Sequence, residues 1–291
     1  MSAPAAVEAR SLSERERLTL QVVARAKLPL AEKRAELEGD LSAFVEAAWP
    51  NIDSAEYKTS WAIDALCEHL QAVREGSIKR LLVNYPPRAS KTTVASICFP
   101  AWVWSQRERS YLSGPQVRFL CGSYNHELSL TNSNLTRRLI YSPWYQKYWG
   151  KRFSFRADQN TKTKFDTSEG GARLATSVGG SLLGIGGDIL VVDDPHNVAS
   201  AESDAERVTA LNWWRELSTT RLNDPKQSAV VVIMQRLAEG DRSYCALTRL
   251  SNNCYRPAGN ATAITLPPLA ARHCETRGLR VCRRNGGRCL L

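Results

Sequence analysis

Lys91 and Thr92 lie where an apolar run, "LLVNY" (81–85), meets a helix-forming run, "TTVASICFPAWVW" (92–104). At such a turn, backbone N–H groups and a helix N-terminus can hold phosphates. The ammonium then reaches the terminal phosphates and the hydroxyl ligates Mg²⁺. The usual G-x-x-x-x-G-K-[ST] spacing puts glycines where Tyr85 and Ser90 stand. On these residues alone a nucleotide site and a plain strand-to-helix turn are equally open. If position 90 requires a positive φ, a serine there is strained.

Roughly a hundred residues downstream, "DILVVDD" ends an apolar strand on two carboxylates. A Walker B element needs this: Asp193 would hold the Mg²⁺ shell and Asp194 would polarise the attacking water. An ordinary strand followed by an Asp-Pro turn has the same letters. A third apolar run, "AVVVIMQR", ends on Gln235 and Arg236. Beside the Asp193 strand they could touch the terminal phosphate and report its loss, or simply be a polar strand end. Arg88 could neutralise charge on the transferred phosphoryl group, or be a solvated turn residue.

Other chemistry is less well supported. "TSVGGSLLGIGGD" (176–188) is followed by a strand rather than a helix, the reverse of a dinucleotide fingerprint, and reads as a flexible loop. "YSPWYQKYWGKRFSFR" (141–156) interleaves aromatics with Lys and Arg. This suits a stacking platform for nucleic acid, or a packed surface hairpin. The helix containing Trp213-Trp214 reads as core packing. His69, His126, His196 and His273 do not share ligand spacing, and the late cysteines contain no C-x₂-C pair, so zinc is not expected.

The elements that must position these residues form an α/β pattern. Residues 11–48 read as helical, and a second helix runs from about 54 to 75, with Trp61, Ala65, Leu66 and Leu70 on one face and Gly76 as its stop. Short apolar runs then alternate with helical ones: "IKRLLVNY", "VRFLCGSY", strands around "RLATS", "DILVVDD" and "SAVVVIMQR", with helices after Lys91 (bent or ended by Pro100), over "HELSLTNSNLTRRLIY" and near 201–218. Such runs, bounded by turns, indicate a largely parallel sheet covered on both faces. The 291 residues therefore divide into a helical segment (1–49), an α/β domain (50–242) and an irregular tail (243–291). With no apolar stretch of about 18 residues and no apolar leader, neither a membrane span nor export is expected. Cys67, Cys98 and Cys121 read as buried thiols of a cytoplasmic chain. The net charge of +10 says little about the domain. The tail has eight Arg against one Glu, no Lys and no Asp, so only +3 remains elsewhere.

Taken together, "NYPPRASKTT", "RFLCGSYNHELSLTNSNLTRRLIY", "GGDILVVDDPHNV" and "AVVVIMQRLAEGD" resemble the ATPase half of a phage terminase large subunit over roughly 50–242. That family packages viral DNA into procapsids and favours a glycine-poor loop of the form P-P-R-x-x-K-[ST]. The resemblance implies an ASCE-type P-loop NTPase using ATP and Mg²⁺. Its loop would comprise Pro87, Arg88, Ala89, Ser90, Lys91, Thr92 and Thr93. Thr92 and Asp193 would serve the metal, Asp194 and Arg88 catalysis, and Gln235 and Arg236 coupling. Asp194 stands where the wider family often has Glu, one methylene longer. The implied partners are double-stranded DNA, a portal protein, a small terminase subunit and further copies in a ring, in the cytoplasm of a bacterial host.

The family's other half is a two-metal nuclease. After Arg242 only Glu275 is acidic, and one carboxylate cannot hold two metals. The tail reads as out-of-frame translation, which makes a prophage-borne, truncated terminase without nuclease activity the expectation. The alternatives are a remnant that binds nucleotide, DNA or packaging partners without turnover, and a helicase-like ATPase.

Overall fold

The strands alternate strictly between two cores. Leu81, Val83, Phe119, Cys121, Ile189, Val191, Ala229, Val231 and Ile233 face one, while Leu82, Leu120, Leu190, Val192, Val230, Val232 and Met234 face the other. A period of two with apolar residues on both faces is what a sheet buried between two layers requires. The computed structural model describes residues 30–85, 88–180, 184–195, 209, 212–214, 216, 220–234, 261–265 and 280–283.

Among the described residues, helices α1 (Leu30–Gly39), α2 (Leu41–Ala48) and α3 (Trp61–Arg74) precede β1 (Arg80–Asn84). The helix that opens at Lys91 is π-wound over Thr93–Cys98 and continues as α4 (Phe99–Trp104). Then come β2 (Arg118–Ser123), α5 (His126–Tyr141), α6 (Pro143–Trp149), β3 (Phe155–Asn160), β4 (Lys164–Thr167), β5 (Ala172–Ser177), β6 (Ile189–Asp193) and β7 (Ala229–Met234). Strands β8 (Ala261–Thr265) and β9 (Arg280–Arg283) complete a nine-stranded sheet of order β3-β4-β5-β2-β6-β7-β1-β8-β9. The central pairs are parallel, and the antiparallel pairs β3–β4, β4–β5 and β8–β9 lie toward the two edges.

The expected α/β architecture is present, with local corrections. In the described part of the first helical stretch, 30–48, there are two helices. Asp40 lies between them and caps the second, its carboxylate accepting from Ser42 N at 2.8 Å. The next helix starts at Trp61 because Ser60 caps it, and Gly76, at φ +78°, lies just beyond its end. Trp61, expected on the packed face, is 50% exposed. The aromatic stretch 141–156 contains helix α6, capped by Ser142 with Pro143 at its first position. Tyr145, Trp149 and Phe153 are buried among Phe44 and Trp104. The Tyr145 hydroxyl donates to Ala101 O at 2.8 Å, and the Trp149 indole donates to Glu38 at 3.0 Å. These rings are core rather than a platform for bases. Trp213 and Trp214 are buried in the second core, as expected. Within the stretch read as irregular, 261–265 and 280–283 are strands that extend the sheet beyond β1. Cys67, Cys98 and Cys121 are buried free thiols.

No helix among the described residues is long and apolar enough to cross a membrane. Residues 1–29, Pro87, His196, Gln235, Arg236 and most of 201–218 and 243–291 lie outside the described residues.

Candidate functional site

Parallel strands bring their C-terminal ends to one edge of the sheet, where α/β proteins bind ligands. Here β7 separates β1 from β6, and Ile233 of β7 pairs with both Val83 and Asp193. The loop leaving β1 and the carboxylates ending β6 therefore share that edge. Strict alternation places Asp193 on the same face as Ile189 and Val191, toward the helix that begins at Lys91.

The loop conformation accounts for the missing glycines. Tyr85 remains in register with the sheet, its N–H donating to Met234 O at 2.9 Å and its ring buried in the core, so position 85 needs no glycine. The left-handed residues come later: Arg88 has φ 56° and Ser90 has φ 63°. Asp194 has φ 45°, and these are all the non-glycine positive-φ residues among the described ones. Backbone held in this region by a fully built site is a mark of function. Ser90 O accepts from Val94 N at 3.0 Å, so the strained turn opens the helix that carries Lys91 and Thr92. The strain expected at Ser90 is present. A left-handed L-residue costs about 1–2 kcal/mol, and glycine returns roughly half of that through its freer unfolded state. Ser90→Gly is expected to raise the denaturation midpoint by an amount equivalent to about 0.5–1 kcal/mol. An unchanged or lowered midpoint in chemical denaturation would contradict this reading of the loop.

Two contacts close the site. The Lys91 ammonium, 6% exposed in its side chain, lies 2.6 Å from the Asp194 carboxylate oxygens. The left-handed turn after β6 aims Asp194 at the loop, anchored by Asp194 N to Ile233 O at 2.8 Å and Tyr124 N to Asp194 O at 3.0 Å. Asp193, 2% exposed, accepts from Ser96 Oγ at 3.1 Å through Oδ2, and the Thr92 side chain lies near enough to favour its ionised form. Burial and the neighbouring Asp194 charge raise its carboxyl to about 6, against the lowering effects of Thr92, Lys91 and Ser96. Asp193 Oδ1 is buried without a hydrogen-bond partner. A desolvated carboxylate with one uncommitted oxygen, beside a hydroxyl, fits a hard divalent cation bound through oxygen. Thr92 and Asp193 are the residues that would hold it.

Of the other residues singled out from the sequence, Arg88 is exposed on the loop, Ala89 is buried beneath it, and Thr93 opens the π-wound segment. Ser96 was missed. Its signal was Pro100, four positions on, which has no N–H to offer the Ser96 carbonyl in an α-helix. Among the described residues no cluster of three or more His, Cys, Asp or Glu is placed to hold a metal on its own.

No protein-family model matches the chain, and no curated protein matches it in sequence. Its structure is similar to the crystal structure of the HK97 bacteriophage large terminase, with TM-score 0.50 and 13% identity over 75% of this chain. The chain spans 42% of that protein's length. A weaker likeness, with TM-score 0.38 and 12% identity, is to an ATPase-domain mutant of the Thermus phage P74-26 large terminase, over 62% of this chain and 66% of that one. The chain has the α/β P-loop NTPase fold, with a mostly parallel sheet flanked by helices as in a phage large terminase.

Proposed function

We infer that this chain is a terminase-type motor domain that hydrolyses ATP to move double-stranded DNA. The observation that carries the reading is the pairing, at the C-terminal edge of the sheet, of Lys91 with Asp194, next to the buried Asp193 that faces the same helix. On binding ATP, Lys91 transfers from the Asp194 carboxylate to the terminal phosphates, which supply an alternative counter-charge. That transfer leaves Asp194 available to orient a water and take its proton. Thr92 and Asp193 would hold Mg²⁺, which would supply charge neutralisation to the phosphates. Arg88, exposed beside Lys91, would neutralise charge on the departing phosphoryl group. Gln235 and Arg236 follow in sequence the last residue of β7, the strand between the two halves of the site, and would relay loss of the terminal phosphate.

Double-stranded DNA, a portal protein, a small terminase subunit and further copies in a ring are the proposed partners, in the cytoplasm of a bacterial host. ATP turnover measured with double-stranded DNA, single-stranded DNA and no DNA tests the reading. Stimulation by the duplex is expected. Equal stimulation by single strands would favour a helicase-like enzyme, and nucleotide binding without turnover a non-catalytic remnant.

A further inference from the structure

The core behind Asp193 is polar. Arg173, within β5, is fully buried. Its Nη2 donates to the Ser96 carbonyl at 3.1 Å, while Nε and Nη1 meet no acceptor. A guanidinium stays charged at any working pH. Burying one without a carboxylate beside it is strongly unfavourable, and an apolar side chain of similar size would give a more stable core. Stability therefore does not account for Arg173.

What Arg173 holds is the Ser96 carbonyl, whose α-helical donor position is a proline. In an α-helix Ser96 O would accept from residue 100, but Pro100 has no N–H. The helix is π-wound there, with Phe99 N donating five residues back to Val94 O. Thr136 Oγ1, from α5, reaches the same Ser96 carbonyl at 3.3 Å. The hydroxyl of that same serine donates to Asp193 Oδ2 at 3.1 Å. Arg173 and Thr136 thus fix the backbone of the residue whose side chain fixes Asp193, and Asp193 Oδ1 is the oxygen left uncommitted.

We propose that Arg173 is a positioning residue for the divalent-cation site: it holds Ser96 by its carbonyl, and Ser96 holds Asp193 so that Oδ1 meets Mg²⁺. The proposal rests on the assignment of Asp193 to the metal. Groups that orient a metal ligand typically affect metal affinity 10- to 100-fold.

The test uses the full chain, a fluorescent ADP with Mg²⁺ as the varied component, and thermal midpoints. Arg173→Met is expected to melt no lower than wild type, yet to need about tenfold more Mg²⁺ for half-maximal ADP binding. Arg173→Lys, which keeps a cationic donor, is expected to recover part of that shift. Ser96→Ala should show the same rise, and adding Arg173→Met to it should cost nothing further, as for two groups acting in one chain. If Arg173→Met does not fold, Arg173→Lys and Ser96→Ala apply the same criterion. An unchanged Mg²⁺ requirement in the folded variants overturns the proposal. So does a lowered midpoint with equal loss of ADP binding with and without Mg²⁺, which marks a purely structural role. Failure of the wild type to bind Mg·ADP would sink the nucleotide assignment itself, a different outcome.

Discussion

Asp194→Asn is expected to abolish ATP hydrolysis while enlarging the thermal stabilisation that Mg·ADP confers. The loss follows from the proposed role: an amide cannot take a proton from water, and removing a positioned general base costs about 10²–10⁴ in rate. The gain follows from the nucleotide-free pairing. Lys91 and Asp194 meet at 2.6 Å with side chains 6% and 19% exposed. Removing one partner of such a pair leaves the other buried without compensation, at a cost of about 3–5 kcal/mol at full burial and less at this exposure. The free variant therefore melts lower than wild type, and bound phosphate supplies the missing negative charge. Thermal midpoints with and without Mg·ADP, beside ATP turnover, check both halves. A variant that hydrolyses ATP normally, or gains less from Mg·ADP than wild type does, would overturn the assignment of Asp194.

The second large effect belongs to its neighbour and has the opposite sign in the metal-free protein. Asp193 titrates near 6 in the fold against 3.8 as an ordinary carboxyl. Between those values the folded state binds the extra proton, so this group's contribution to stability falls as pH rises from about 4 to 6. Above pH 6 the ionised carboxylate opposes folding by about 3 kcal/mol. Asp193→Asn removes that opposition. In chelator at pH 8 the variant should be more stable than wild type, and the difference should vanish near pH 4. With Mg²⁺ and ADP added at pH 8 the order is expected to narrow or reverse, because the variant has lost its metal carboxylate. Equal metal-free stabilities at pH 8 would show that Asp193 is not the strained, cation-seeking group described above.

Much of this site was legible because its chemistry is written in short segments. A strand, a bend and Lys91-Thr92 form one segment, and a strand closing on Asp193-Asp194 forms another. Sheet topology then brings them together. The absent glycines were misleading, since Tyr85 never leaves the strand and only Ser90 among the two positions is left-handed. Trp61 was misplaced because the buried face centres on Ile63, Leu66, Leu70 and Val73, and Trp61, five positions before Leu66, lies about 140° round the helix from it. The basic aromatic stretch has the letters of a surface platform, and only its packing against Phe44 and Trp104 shows it to be core. Arg173 could not be read at all, because it meets the Ser96 carbonyl of a helix 77 positions away, a pairing that only the folded sheet makes. Strands β8 and β9 were hidden by tail composition.

In the proposed mechanism Lys91, Thr92, Asp193 and Asp194 form one Mg-nucleotide site. Titration of the full-length wild type and Lys91→Ala with a fluorescent ADP in the presence of Mg²⁺ tests it most directly. Lys91 would give charged hydrogen bonds to phosphate worth about 3 kcal/mol in all. Saturable binding by the wild type and about a hundredfold weaker binding by the variant are therefore expected. Equal affinities, or no binding by the wild type, would contradict it.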